Sequence, residues 1–195
     1  MAARPYRQVA RESAVRGTEQ QIVEAFATLM ETRWFDEVTL DEIAAAAGTT
    51  RQTVIRRFGS KAGLLSALAA QQDSTIRTHR WQDAPADVAG IIGVLMADYE
   101  RSGDLVVRTL NQEDRIPEFG AVLDQGRRGH REWIMDMFRP WLDRREGARR
   151  DDLFAELLAV TDVWVWHLMR RRQGHDAERT QRLMTQIVER LLGED

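Results

Sequence analysis

The chain has 195 residues, 43% of them apolar and 30% charged, the balance of a globular protein with one large domain or two small ones. It has no cysteine, which excludes a disulfide framework, a thiolate metal site and a cysteine nucleophile, and no apolar run near the ~20 residues needed to span a bilayer. The net charge of −3 argues against indiscriminate nucleic-acid binding, but residues 1–16 carry Arg4, Arg7, Arg11 and Arg16 against Glu12 alone, and residues 51–61 carry Arg51, Arg56, Arg57 and Lys61 with no acid.

Helical periodicity dominates and no alternating strand is found, so the fold is expected to be all-α with about nine helices. The arginines of residues 1–16 come without an apolar run, so no secretory signal is read and a cytoplasmic protein is expected. The first helix places Ile22, Phe26 and Leu29 on one face, with Thr18 and Gln21 a candidate capping box. Thr39 and Glu42 make a better one, ahead of Ile43 and four alanines that stop at Gly48. A short third helix begins after Thr50 and holds Thr53, Val54 and Phe58. Ser60 can cap a longer fourth helix through Leu64, Leu65, Leu68 and Ile76. Asp83, Ala84 and Pro85 read as the next helix start, with Val88, Ile91, Ile92, Leu95 and Tyr99 on its apolar face and Gly103 as its stop. A short helix is expected over 105–110. Pro117 opens a long one with Phe119, Val122, Leu123, His130, Trp133, Ile134, Met137 and Phe138, which Pro140 kinks or ends.

Residues 153–169 are apolar on more than one face, and the last helix offers Leu183, Met184, Ile187, Val188, Leu191 and Leu192. A helix apolar nearly all round is buried nearly all round. A second subunit is the expected cover, with Leu157, Trp164, Leu168, Met184, Ile187 and Leu191 at a homodimer interface.

Segment 40–61 is the most informative. Two short helices meet at Ala47-Gly48-Thr49, and the alanines keep the first thin enough for the second to cross it closely. That is a helix-turn-helix, whose second helix enters a major groove. Its exposed residues are expected to be Thr49, Arg51, Gln52, Thr53 and Arg56: Arg and Gln pair bidentately with guanine and adenine edges, and a Thr methyl meets that of thymine. Thr50 opens the helix, while Arg57 and Lys61 flank it where phosphates would run.

These residues resemble the TetR family of transcriptional regulators. The pattern is Thr39, Ile43-Ala44, Ala47-Gly48, Thr50-Arg51-Gln52-Thr53, Phe58, then Gly59-Ser60-Lys61 and Leu64-Leu65, extending back to Ile22 and Phe26. The resemblance implies a helix-turn-helix domain over 1–60, with a basic arm over 1–17, and a ligand-binding and dimerisation domain over 61–195. It also implies phosphate contacts from Lys61 and Thr39. Two positions depart from it: Ile55 stands where the family usually has Tyr, and Thr49 where it usually has Val.

Six tryptophans suggest a pocket for an apolar or aromatic molecule. Trp81, Tyr99, Asn111, Phe119, His130, Trp133, Trp166 and His167 are its candidate lining residues, with the ordinary core, or for Asn111 a polar loop, as the alternative for each. No phosphate-cradling glycine loop, no helical His-Glu-x-x-His pair and no framed serine nucleophile is present. No catalytic residue, metal or cofactor is therefore expected. The expected function is a ligand-responsive repressor that binds a near-palindromic operator in double-stranded DNA as a homodimer and is released by a small, mostly apolar effector. The alternatives are a DNA-binding adaptor or structural protein without a ligand, and a helical hydrolase built from Glu113, Asp114 and His130.

Overall fold

The computed structural model describes residues 4–82 and 85–193, and the side chains of 17–81 and 85–193. The basic side chains of residues 1–16 and the Asp83-Ala84 pair lie outside the described residues. The chain divides into two compact units, Met1–Gln71 and Gln72–Asp195. The expected boundary at 60/61 falls at the start of a helix; the division lies inside that helix because Leu64, Leu65 and Leu68, all buried, belong to the first unit.

The first unit holds α1 (Arg4–Thr32), a 3-10 turn (Phe35–Glu37), α2 (Leu40–Ala46), α3 (Arg51–Phe58) and the first half of α4 (Lys61–Gln82). Ile22, Val23, Phe26 and Met30 of α1 are buried, with Phe26 meeting Phe35 edge-on at 6.3 Å. Leu29 is only half-buried, so Met30 takes the place on the core face that the spacing gave to it. The Thr39 hydroxyl accepts from the Glu42 amide at 3.2 Å, and the Glu42 carboxylate accepts from the Thr39 amide at 2.8 Å, closing the expected capping box. Gly48 ends α2 with φ of 62°, the left-handed region that favours glycine.

In the second unit, α5 (Val88–Leu110) packs against α9 (Val163–His167) and α10 (Ala177–Gly193), and α6 (Glu118–Met137) against α7 (Arg139–Leu142) and α8 (Gly147–Val160). Ile91, Ile92, Leu95, Trp133, Ile134, Phe138, Leu157, Trp166 and Val188, all nearly inaccessible, form its core.

Three expectations about this unit are corrected. The fifth helix starts at Val88, because the Asp87 carboxylate accepts from the Gly90 amide at 2.8 Å and Pro85 folds over Gly90 from outside the helix. Gly103 does not stop it, and no separate helix occupies 105–110: α5 continues to Leu110, and Gly103 is the place where the Trp166 indole lies against the backbone. Residues 153–169 are not one helix. The Thr161 hydroxyl donates back to the Leu157 carbonyl at 2.6 Å as α8 ends, and the Asp162 carboxylate accepts from the Trp164 amide at 2.8 Å to start α9, which widens into a π-turn over Leu168–Arg172. Two axes share the apolar residues that periodicity assigned to one.

Candidate nucleic-acid interface and ligand cavity

The turn between α2 and α3 is held by its backbone: the Thr49 amide donates to the Ala44 carbonyl at 2.9 Å and the Gly48 amide to the Ala45 carbonyl at 3.2 Å. Thr50 then caps α3, its hydroxyl accepting from the Thr53 amide and lying 3.0 Å from the Thr53 hydroxyl. Val54 faces inward and is fully buried, so Arg51, Gln52, Ile55 and Arg56 face out, while Thr49 and Thr53 are half-buried. Ile55, which stands where the TetR pattern usually has Tyr, is 41% exposed and lies outside the core. Arg51 lies 3.2 Å from Asp41 across two exposed side chains. A pair so open to water is weak and can be exchanged for a base or phosphate.

Two residues expected at phosphates are turned elsewhere. The Lys61 ammonium donates to the Phe35 carbonyl at 2.5 Å and the Val38 carbonyl at 2.8 Å, and lies 4.4 Å from the Phe35 ring centre. It therefore clasps the segment that leads into α2. Arg57 is half-buried and reaches Glu19 of α1 at 3.3 Å. Thr39 is exposed, with its hydroxyl engaged by Glu42. Arg33 pairs with the same Glu42 carboxylate at 2.5 Å and, together with the Thr39 hydrogen bonds, depresses its pKa to about 2.

The second unit contains a cavity of about 420 Å³. Apolar walls come from Ile76, Trp81, Val106, Leu110, Leu123 and Trp164, and polar ones from Arg80, Tyr99 and His130. Of the residues expected to line it, Trp81, Tyr99 and His130 do so. Phe119, Trp133 and Trp166 are instead fully buried core, Asn111 is the exposed C-cap of α5, and His167 packs beside Trp164 and Trp166. Arg80, Arg127 and Asp162 were not anticipated; a lone Arg in an amphipathic helix carries no signal that it will turn inward.

The buried polar groups of this wall satisfy one another. Arg80 donates to Asp98 at 2.6 Å, and Asp98 also receives His79 at 2.9 Å. The Thr161 hydroxyl has given its proton to Leu157, so the His130 Nε2, 3.0 Å away, must donate to it, leaving Nδ1 as an acceptor facing Arg80 at 3.5 Å. Burial, then the Arg80 charge, lowers the His130 pKa to about 3, which keeps the ring neutral in that tautomer. The Tyr99 hydroxyl donates to the Thr161 carbonyl at 2.7 Å, and burial pushes its pKa above the ordinary phenol range. Glu113, read with Asp114 and His130 as a conceivable hydrolase, is held by Arg127 at 2.5 Å, while His130 serves Thr161. Among the described residues, no helix is long and apolar enough to cross a membrane.

Residues 22–68 match the family model described as bacterial regulatory proteins, tetR family. No curated protein sequence matches the chain. Solved structures match its fold. A transcriptional regulator of the TerR/AcrR family from Aquifex aeolicus VF5 does so at 12% identity, with a TM-score of 0.68 over 89% of this chain and 99% of that one. A tetR-family regulator from Streptomyces coelicolor is 21% identical, with a TM-score of 0.65 over 89% and 80%. A SmeT–triclosan complex is 19% identical, with a TM-score of 0.66 over 90% of each chain. Residues 22–68 thus carry a TetR-type helix-turn-helix, on a chain whose fold follows these solved regulators over about nine-tenths of its length.

Proposed function

We propose that the protein is a ligand-responsive repressor that binds a near-palindromic operator as a homodimer through α3 and leaves it when a small, mostly apolar molecule fills the cavity. The observation that carries the DNA half of this reading is the outward face of α3, where Arg51, Gln52 and Arg56 stand together without an acid on the helix. Arg and Gln there can form the bidentate pairs that distinguish guanine and adenine, and Thr49, Thr50 and Thr53 border them. Arg57 ties α3 to Glu19 of α1, and Lys61 holds the segment that leads into α2, so both brace the unit that presents α3.

The effector half rests on the 420 Å³ cavity, a volume suited to a small molecule and lined mainly by apolar side chains. A neighbour of the same fold is a complex with triclosan. An effector that favours the DNA-incompetent state by about 2.7 kcal/mol would lower operator affinity a hundredfold, within the usual range of allosteric coupling. The homodimer is supported by Trp164 and Leu168, which remain 43% and 49% exposed, with Ile187 and Leu191 half-buried. Leu157 and Met184, expected at that interface, are 0% and 1% exposed within their own chain and so belong to its core.

Selection of bound sequences from a random DNA pool tests the reading directly. It should return two half-sites in inverted repeat. On that operator Arg51→Ala or Gln52→Ala should each lose roughly 1–3 kcal/mol while weak non-specific binding persists. No enriched sequence, or wild-type affinity in both variants, would overturn it.

A further inference from the structure

We propose that Ile55 reads thymine, packing its side chain on the 5-methyl group of one thymine in each operator half-site; this rests on operator binding through α3. Ile55 is 41% exposed, whereas its neighbour Val54 is fully buried and, among the described residues, Ile22, Val23, Met30, Ile43, Leu64, Leu65 and Leu68 of α1, α2 and α4 are inside. It stands one helical turn after Arg51 and Gln52 and next to Arg56, so it shares the polar face that would meet the groove. A turn advances about 5 Å along the helix axis, enough to carry the side chain one to two base pairs beyond those met by Arg51.

The chemistry narrows what this side chain can meet. Isoleucine has no donor for a phosphate oxygen and no partner for the hydrogen-bonding edge of a base. Along the base edges of the major groove, the apolar feature is the thymine C5 methyl group. Removing that methyl and the exposed isoleucine surface from water together is favourable, on the order of one buried methyl-sized group. Placed among Arg51, Gln52 and Arg56, whose charge and hydrogen-bonding capacity suit DNA, the apolar patch fits a groove better than it fits an apolar protein surface, where those three would be left unpaired.

The test uses the full-length protein and the operator recovered from the random pool, with each thymine replaced in turn by deoxyuridine, which lacks only the methyl. Wild-type protein should show one thymine per half-site at which the replacement weakens binding by about fourfold, the size of one methyl-sized apolar contact. In Ile55→Ala that penalty should vanish at the same position while affinity for the thymine operator falls by a similar factor. Ile55→Val should fall between the two. Since the side chain is exposed, these variants should keep the wild-type circular-dichroism melt.

Equal uracil penalties in wild type and Ile55→Ala at every position would overturn the proposal, as would an operator without a thymine that Ile55 can reach. Wild-type operator affinity in Ile55→Ala would also overturn it and assign the residue to a protein partner. These failures differ from failure of the operator reading itself, which would show as undiminished binding by Arg51→Ala and Gln52→Ala or as no preferred sequence at all.

Discussion

Replacing Gly103 by alanine separates a packing role from a helix-ending role. A Cβ built there would lie 2.5, 2.7 and 3.0 Å from the Cζ3, Cη2 and Cε3 atoms of Trp166. Ordinary carbon contacts begin near 3.5 Å, so the ring would have to retreat by about 1 Å. It has little room to do so. The indole is fully buried, its Nε1 donates to Glu100 at 2.8 Å, and the Arg171 guanidinium lies 4.9 Å from its ring centre. Overpacking of this kind costs about 1–3 kcal/mol, and three close ring atoms point to the upper end. Alanine in a helix recovers about 1 kcal/mol over glycine. The expected net loss is about 2 kcal/mol, a fall of about 1 M in the urea midpoint followed by tryptophan fluorescence. Gly120→Ala in α6, where an added Cβ meets nothing within 4 Å, should instead stabilise the fold by about 0.5–1 kcal/mol and raise the midpoint. Should Gly103→Ala prove as stable as wild type or more so, Trp166 is not seated on the α5 backbone.

Lys61→Met should destabilise the first unit by about 1–3 kcal/mol in urea titrations, because it deprives the Phe35 and Val38 carbonyls of their ammonium donor. Unchanged stability together with a flatter salt dependence of operator binding would return Lys61 to the phosphates. The folded-state pKa of Glu42, held near 2 chiefly by Arg33 and then by Thr39, lies below its unfolded value of 4.5. Its contribution is therefore complete above pH 4.5 and lost as the pH falls towards 2, a dependence that Glu42→Gln should remove from the acid denaturation curve of the first unit. For His130 the folded pKa, about 3, also lies below the unfolded 6.5, but here the proton charges the group. The unfolded state takes up that proton first, so stability should decline as the pH falls from 6.5 towards 3. Imidazole nitrogen shifts should show no titration between pH 8 and 5, and a midpoint near 6.5 would contradict the buried neutral ring. Leu168→Arg or Trp164→Arg should give monomers by light scattering; intact dimers in both variants would move the interface elsewhere.

The first unit was largely legible in the sequence because its signals are local. Thr39 and Glu42 are three residues apart, Gly48 needs a left-handed backbone, and Thr50 caps the helix that follows it. Where the reading failed, the deciding partner was distant in sequence. Gly103 looked like a stop because glycine commonly follows a helix, and the Trp166 ring that makes it an interior residue is contributed by α9. For Lys61, the hold on the segment before α2 had no local sign, because the carbonyls its ammonium meets lie 26 and 23 residues earlier. The split at Thr161–Asp162 did have a local sign, since Asp is a common N-cap, but the continuous apolar pattern on either side masked it.

The same distinction governs the cavity. Read by type, Arg80, Tyr99 and His130 would make it a polar site that orients a ligand through hydrogen bonds. Read by partner, their bonds are already made: Arg80 to Asp98, Tyr99 to the Thr161 carbonyl, and His130 to the Thr161 hydroxyl. A polar group that sought the Arg80 Nε, the Tyr99 hydrogen or the His130 Nε2 would have to replace a bond inside the buried network. That exchange returns little net free energy, because a hydrogen bond gained in place of one lost leaves some donor or acceptor unpaired. Arg77 and Arg127, about half-exposed, are likewise paired, with Glu132 at 2.7 Å and Glu113 at 2.5 Å. Affinity must then come mainly from the apolar walls of Ile76, Trp81, Val106, Leu110, Leu123 and Trp164, whose burial needs no hydrogen bond to be broken. A cavity can thus be lined with arginine and histidine and still select for apolar shape, because those side chains are bonded to the protein before any ligand arrives.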